Sequence, residues 1–325
     1  MRSKLSPRAT PADACNAKEE KMGKIAISGF YDEISGSLSK QIEVLHKLGE
    51  SYLCPRNLDG KNIADYTFEE FKEKIYPVLK REGIRFSSIG SPVGKVGIDD
   101  EEGFEKQKKQ LAELVKIASL MGCGYIRIFS FFYGDKAPES CHDKVVARLK
   151  ELLAIVKGSG VKLLHENEKK IYGDVPERVM KLYDAMADED FVLCFDASNY
   201  VQCDVDVKAA FDMLKDRVVY YHIKDCSEFK VEVPVGTGKG CYDYIIAELK
   251  KRGYEGFMTL EPHTFKYALL KPVVYFVPFM PLIMKNYFKA FRLIDKAQGM
   301  GYFSCASREK VFLWQYENLK KLLEG

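Results

Sequence analysis

VKLLHENEKKIYGD, residues 161–174, opens as a short apolar strand, Val161-Lys162-Leu163-Leu164, and stops abruptly in His165-Glu166-Asn167-Glu168. An apolar run that ends in carboxylates is how a strand of a closed parallel barrel delivers chemistry to its carboxyl end. The same event recurs three times downstream. In FVLCFDASN, Asp196 follows the apolar run 191–195; in VVYYHIKD, His222 follows 218–221; in GFMTLEPH, Glu261 follows 257–260. Four successive strands thus aim Glu166, Asp196, His222 and Glu261 at one point.

Upstream and downstream of this stretch, apolar strands alternate with amphipathic helices. KIAISGF predicts strand one, and 37–48 a helix with Leu38, Ile42 and Leu45 on one face. SYLCP predicts strand two. Thr67 caps the next helix, with Glu69 and Glu70 in its first turn and Gly83 at its end. RFSSIGS is strand three. It precedes a long helix over 101–121 whose inward stripe is Phe104, Leu111, Leu114, Ile117, Ala118 and Met121. YIRIFSF is strand four, and a helix follows over 142–157. After strand five, Val-Pro-Glu opens a helix over 175–187, with proline suited to the first turn. Helices over 207–214 and 242–252 follow strands six and seven. A last helix starts near Ser307, with Phe312, Tyr316, Leu319 and Leu323 inward. Strict alternation implies a parallel sheet. Eight units over about 250 residues fit a single-domain (β/α)8 TIM barrel better than an open doubly wound sheet. No GxGxxG follows strand one, which counts against a dinucleotide site there.

The composition is that of an ordinary globular protein, 46% apolar and 30% charged. Lys+Arg 50 and Asp+Glu 47 are interspersed, and the net charge of +3 predicts no nucleic-acid partner. Nine cysteines include no CxxC pair and read as reduced thiols of a cytoplasmic protein. Residues 1–22 lack the apolar core of a signal peptide and read as a disordered leader, with Met22 as an alternative start.

Each member of the strand-end set has an ordinary reading alone: a solvated carboxylate, or a hydrogen-bonded structural histidine. Together, three carboxylates so close repel strongly unless a cation lies between them. Mostly carboxylate ligands with one imidazole favour Mn²⁺, Mg²⁺ or Co²⁺, with Zn²⁺ also compatible.

The motifs SSIGSPVGK, LLHENE, FDASN, YHIKD and GFMTLEPH, in this order over residues 24–263, resemble those of sugar isomerases and epimerases with the xylose-isomerase-like barrel. The resemblance implies that Glu166, Asp196, His222 and Glu261 bind one divalent metal, and that Glu166 and Glu261 also act as the acid–base pair. The expected substrate is a small-molecule sugar or sugar derivative. Proton abstraction next to its carbonyl through an enediolate leads to epimerisation or isomerisation. Dehydration of a keto-inositol-like substrate and a non-catalytic sugar-binding barrel are the alternatives. Apurinic endonucleases share the barrel, but their three-metal site needs many more than the five histidines present.

Lys95, Arg127, Lys224 and His263 are the substrate-binding candidates. The bland readings are a solvated loop for Lys95 and a salt bridge to a ligand or to Glu168 for Arg127. Gly236, Gly238 and Gly240 in PVGTGKG lie where barrel loops hold phosphate, but a lone glycine-rich loop is a weak signal and a simple turn is the preferred reading. Two departures from the family pattern stand out. The acid of its ELR-like motif is absent before Arg56, and Asn199 stands where ketohexose epimerases carry a histidine.

The barrel core is assigned to 23–264 and its closing helix to 306–325. Between them, 265–305 is an apolar insertion. Its run YALLKPVVYFVPFMPLIM, 267–284, approaches a membrane span in length, but Pro272, Pro278 and Pro281 break a helix three times. It is expected as a long loop, a lid over the barrel mouth or a homo-oligomer interface, with contact to a membrane surface as the alternative and a membrane span excluded.

Overall fold

A computed structural model describes residues 25–325; the leader expected over 1–22 lies outside them. The barrel strands are β1 Ile25–Gly29, β2 Tyr52–Leu53, β3 Arg85–Phe86, β4 Tyr125–Ile128, β5 Lys162–Glu166, β6 Phe191–Asp196, β7 Val218–Ile223 and β8 Gly256–Leu260. All pair in parallel, in the order β3-β2-β1-β8-β7-β6-β5-β4. The two edges meet through Ile89. Its N–H donates to the Tyr125 carbonyl and its carbonyl accepts from the Arg127 N–H, both at 2.9 Å. These bonds close the (β/α)8 barrel.

The period-2 alternation of strands sorts the side chains into two compartments. Leu163, Phe195 and Tyr221 join the large core between sheet and helices. Their chain neighbours Leu164, Cys194 and Tyr220 form a separate buried cluster inside the barrel. Glu166, Asp196 and His222 lie two residues further along, so they share the inward parity and emerge at the carboxyl end. His165 takes the outward parity. It is buried against Phe191, ring centroids 5.7 Å apart, where burial lowers its pKa to about 4.

Most predicted helices form near their predicted bounds. They include α1 Leu38–Lys47, α4 Glu101–Met121, α5 His142–Val156, α6 Pro176–Met186, α8 Val207–Leu214, α9 Tyr242–Lys251 and α13 Arg308–Glu324. Three local readings change. Thr67 does cap its helix, accepting from the Glu70 N–H, but the helix divides into α2 Phe68–Lys74 and α3 Tyr76–Arg81. Pro77 has no N–H for the bond that would continue α2. Strand three shortens to Arg85–Phe86 plus the single bridge at Ile89. An unpredicted short helix, α7 Ala197–Gln202, follows β6.

The insertion is where the structure departs furthest. Residues 265–305 are not a loop but three helices, α10 Phe265–Phe276, α11 Met280–Ile283 and α12 Lys285–Ala297. Pro278 lies in the gap between α10 and α11 as expected, whereas Pro281 sits in the first turn of α11 and Pro272 within α10. Tertiary packing offsets that cost of about 3 kcal/mol: Tyr267, Val274 and Tyr275 bury against Phe291, Ile294, Val311 and Trp314. No helix among the described residues is long and apolar enough to cross a membrane.

Candidate metal centre

Glu166 ends β5, Asp196 ends β6, His222 is the penultimate residue of β7, and Glu261 follows β8 by one residue. All four are buried, and one donor atom from each falls within 4.8 Å of the others. Asp196 divides its two oxygens. Oδ1 caps α7 by accepting from the Asn199 N–H at 2.9 Å, which leaves Oδ2 for the site. Asn167 fixes this strand end. Its side chain accepts from the Asp196 N–H and donates to the Asp196 carbonyl, both at 2.9 Å.

Two buried cations face the carboxylates. Arg127 Nη1 lies 3.1 Å from Glu166 Oε2 and 3.3 Å from Glu261 Oε1. Lys224 Nζ lies 3.0 Å from Asp196 Oδ2 and 3.8 Å from Glu261 Oε2. Burial pushes all three carboxyl pKa values up. At Glu261 the neighbours Lys224, His222 and Arg127 overturn it and hold the group well below the usual range. At Glu166 the nearby His222 and Arg127 do the same. At Asp196 burial prevails over Lys224, and the pKa rises. Burial disfavours charge on His222, yet beside Cys194 and Glu166 its pKa rises well above the imidazole range.

A divalent cation fits these residues. His222 Nδ1 lies 3.0 Å from Glu166 Oε1 and 3.3 Å from Glu261 Oε2. Both ring nitrogens, with Asp196 Oδ2 and Glu261 Oε2, are nonetheless buried without a hydrogen bond of acceptable geometry. Buried polar atoms are rarely left so. Donors that approach a common point without aligning on one another form a group able to hold a cation. On His222, a proton and a metal would compete for the same lone pair.

The substrate-binding candidates divide. Arg127 and Lys224 are ion-paired within the constellation itself. Lys95 is partly exposed, pairs with Glu168 at 3.0 Å and lies over the Phe129 ring at 4.1 Å. His263 Nδ1 faces Glu33 Oε1 at 2.8 Å, and its Nε2 lies 3.9 Å from Glu261 Oε1. Sequence reasoning missed Asp32 and Glu33, in the turn after β1. Arg56 donates to both oxygens of Asp32, at 2.9 and 3.1 Å, and to Glu261 Oε1 at 3.2 Å. The available signal was YDE directly after the first strand, the same apolar-then-acidic change seen at β5.

The xylose isomerase-like TIM barrel family matches residues 42–273. The chain belongs to this family. No curated protein matches it by sequence. Among solved structures it is similar to an IolI protein with a bound zinc atom, at 15% identity and a TM-score of 0.66, covering 92% of this chain and 98% of that one. It is similar to a D-allulose 3-epimerase from Methylomonas sp., at 15% identity and TM-score 0.63, covering 93% and 99%. It is also similar to the probable 3-DHS dehydratase AsbF from Bacillus anthracis, at 16% identity and TM-score 0.59, covering 73% and 92%.

Both departures from the family pattern fall in the site. Where the acid before Arg56 is missing, Asp32 and Glu33 of the β1 turn place carboxylates against its guanidinium. Asn199 donates to the Asn167 carbonyl at 2.8 Å and to Glu166 Oε1 at 3.4 Å. The glycine-rich loop is committed to an internal carboxylate. Asp225 Oδ2 accepts from the N–H groups of Gly236 and Gly238, and Oδ1 from those of Gly240 and Cys226, at 2.8–2.9 Å. A Cβ at Gly238 would collide with Asp225, and one at Gly240 would come within 2.8 Å of it. These N–H groups already have their acceptor, in keeping with the turn reading and not the phosphate one.

Proposed function

We propose that the protein is a divalent-metal-dependent isomerase or epimerase of a sugar or sugar derivative. The observation that carries this reading is the meeting of Glu166 and Glu261, from strands with two others between them, at the shared groups Arg127 and His222. A divalent cation held by Glu166, Asp196, His222 and Glu261 would supply Lewis-acid polarisation of the substrate carbonyl, which acidifies the adjacent C–H. One glutamate takes that proton, and the charge left on the enediolate falls beside Arg127 and Lys224. Return of a proton from the other glutamate inverts the carbon; return to the neighbouring carbon moves the carbonyl. Lys95, paired with Glu168, and His263, 3.9 Å from Glu261, bind substrate hydroxyls in this reading. Asn167 and Asn199 hold Asp196 and Glu166 in place.

Solvent-deuterium incorporation tests the reaction class, because it reports proton abstraction whether or not the product is known. With Mn²⁺ present, at least one member of a panel of keto sugars gains deuterium next to its carbonyl. A panel in which none exchanges refutes the reading.

Metal binding has a separate readout. Mn²⁺ at about 100 times its Kd adds about 2.7 kcal/mol of stability, seen as a rise in thermal midpoint. Asp196→Asn keeps the helix cap but loses the charge, and most of that increment disappears. Equal midpoints with and without Mn²⁺, Mg²⁺, Co²⁺ and Zn²⁺ would remove the metal from the proposal.

A further inference from the structure

The insertion 265–305 turns apolar residues in two directions. Its inner side packs on Val231, Val233, Val311 and Trp314. That side is locked by Asp295, which lies 2.7 Å from Lys271 Nζ and accepts from the Tyr267 and Tyr275 hydroxyls at 2.5 and 2.7 Å. The outer side meets no cover among the described residues. Phe279 is 74% exposed, Leu282 76%, Ile283 70% and Phe303 83%. The first three form the tip between α10 and α12, where Phe279 takes φ 64° between Pro278 and Pro281. Phe303 stacks on Phe276 with ring centroids 5.8 Å apart. Contiguous apolar exposure of this kind marks an interaction surface.

The charges beside the tip say what the surface fits. Lys285, Lys289, Arg292 and Lys296 are all exposed and recur at steps of four, three and four, which places them along one face of α12. Lys285 lies two residues after Ile283 of the tip. Arg292 lies 5.8 Å from the centre of the Tyr302 ring, which in turn packs 5.2 Å from Phe303. Asp295 is the one acidic residue in 265–305, and it is buried and committed.

We propose that this face docks the protein on an anionic lipid surface. Phe279, Leu282 and Ile283 enter the boundary between headgroups and acyl chains, and the cation row meets the lipid phosphates. The 13-residue α12 is suited to lie in the interface plane rather than to span it. A second copy of the chain fits less well. A two-fold contact sets the same patch against itself, and the insertion offers no exposed carboxylate to answer the opposing cations.

The test is co-sedimentation of the full chain with vesicles. One set contains equal parts phosphatidylserine and phosphatidylcholine, the other phosphatidylcholine alone. Each cation near an anionic surface adds roughly fivefold in affinity, so binding to the mixed vesicles is at least about tenfold tighter and weakens with added salt. This comparison needs no variant. Two variants then locate the surface. One carries Phe279→Ser, Leu282→Ser and Ile283→Ser, the other Lys285→Gln, Lys289→Gln, Arg292→Gln and Lys296→Gln. Each loses about tenfold or more in binding while keeping the wild-type circular dichroism and deuterium exchange. Absence of binding to anionic vesicles overturns the proposal, as does binding that both variants retain. A dimer in light scattering that the serine variant dissociates, without vesicle binding, assigns the face to a second copy instead.

Discussion

Glu166→Gln and Glu261→Gln each slow turnover by about 10²–10⁴, the loss expected when a positioned acid–base group is removed. Glutamine keeps the shape and one oxygen, so Arg127, which lies within 3.3 Å of both side chains, retains an acceptor at each. Metal affinity falls as well, and the assay therefore runs at saturating Mn²⁺. The informative readout is deuterium exchange from each of the two epimers that the enzyme interconverts. If Glu166 is the base for one epimer, Glu166→Gln abolishes exchange from that epimer first and spares the other, and the asymmetry reverses for Glu261→Gln. Loss in one variant with mere weakening in the other identifies an isomerase that works from a single face. Wild-type exchange in both variants would falsify the two-glutamate mechanism.

Asp225→Ala lowers stability by roughly 3–5 kcal/mol, because each buried donor left without its acceptor costs about 1–3 kcal/mol. Asp225 is buried and accepts from four backbone N–H groups, and no other described side chain accepts from them. Asp225→Asn keeps one acceptor oxygen and turns an amide toward the remaining donors, so its loss is smaller than that of alanine. Denaturant unfolding at constant metal concentration measures both. Lys224 precedes Asp225 and pairs with Asp196, so a loosened loop also reduces the stabilisation by Mn²⁺. An alanine variant within about 0.5 kcal/mol of wild type would show that water replaces the carboxylate at little cost.

Much of the barrel was legible because its signals are local. Apolar runs of strand length alternate with helices whose stripes, caps and terminal glycines lie within a few residues of one another; the helix over 101–121 was read at both ends. The four strand-end residues were legible for the same reason. Each follows an apolar run within two residues, and once the strands are parallel, one parity carries Glu166, Asp196 and His222 to the same end. The family resemblance supplied a role for them that spacing alone left open.

Other features depend on residues far apart in the chain. Asp32 and Glu33 meet Arg56 and His263 only because β1 lies between β2 and β8 in the closed sheet. The glycines of PVGTGKG read as a simple turn sooner than as a phosphate loop, but that Asp225 is the acceptor of their N–H groups is seen only in the fold. The insertion is the plainest case. Three prolines argue locally for a loop, and Pro278 does end the helical run, with Pro281 opening the next short helix. Pro272 does not, because the lost hydrogen bond is outweighed by packing against α12, α13 and the segment 231–233. Sequence alone determined which residues have the chemistry to form a metal site and the periodicity to build a barrel, since both are written in neighbouring residues. Tertiary structure decided which cations neutralise that site, which carboxylate fills the glycine loop and which face of the insertion stays exposed, because each is a balance of burial and charge between segments that only folding brings together.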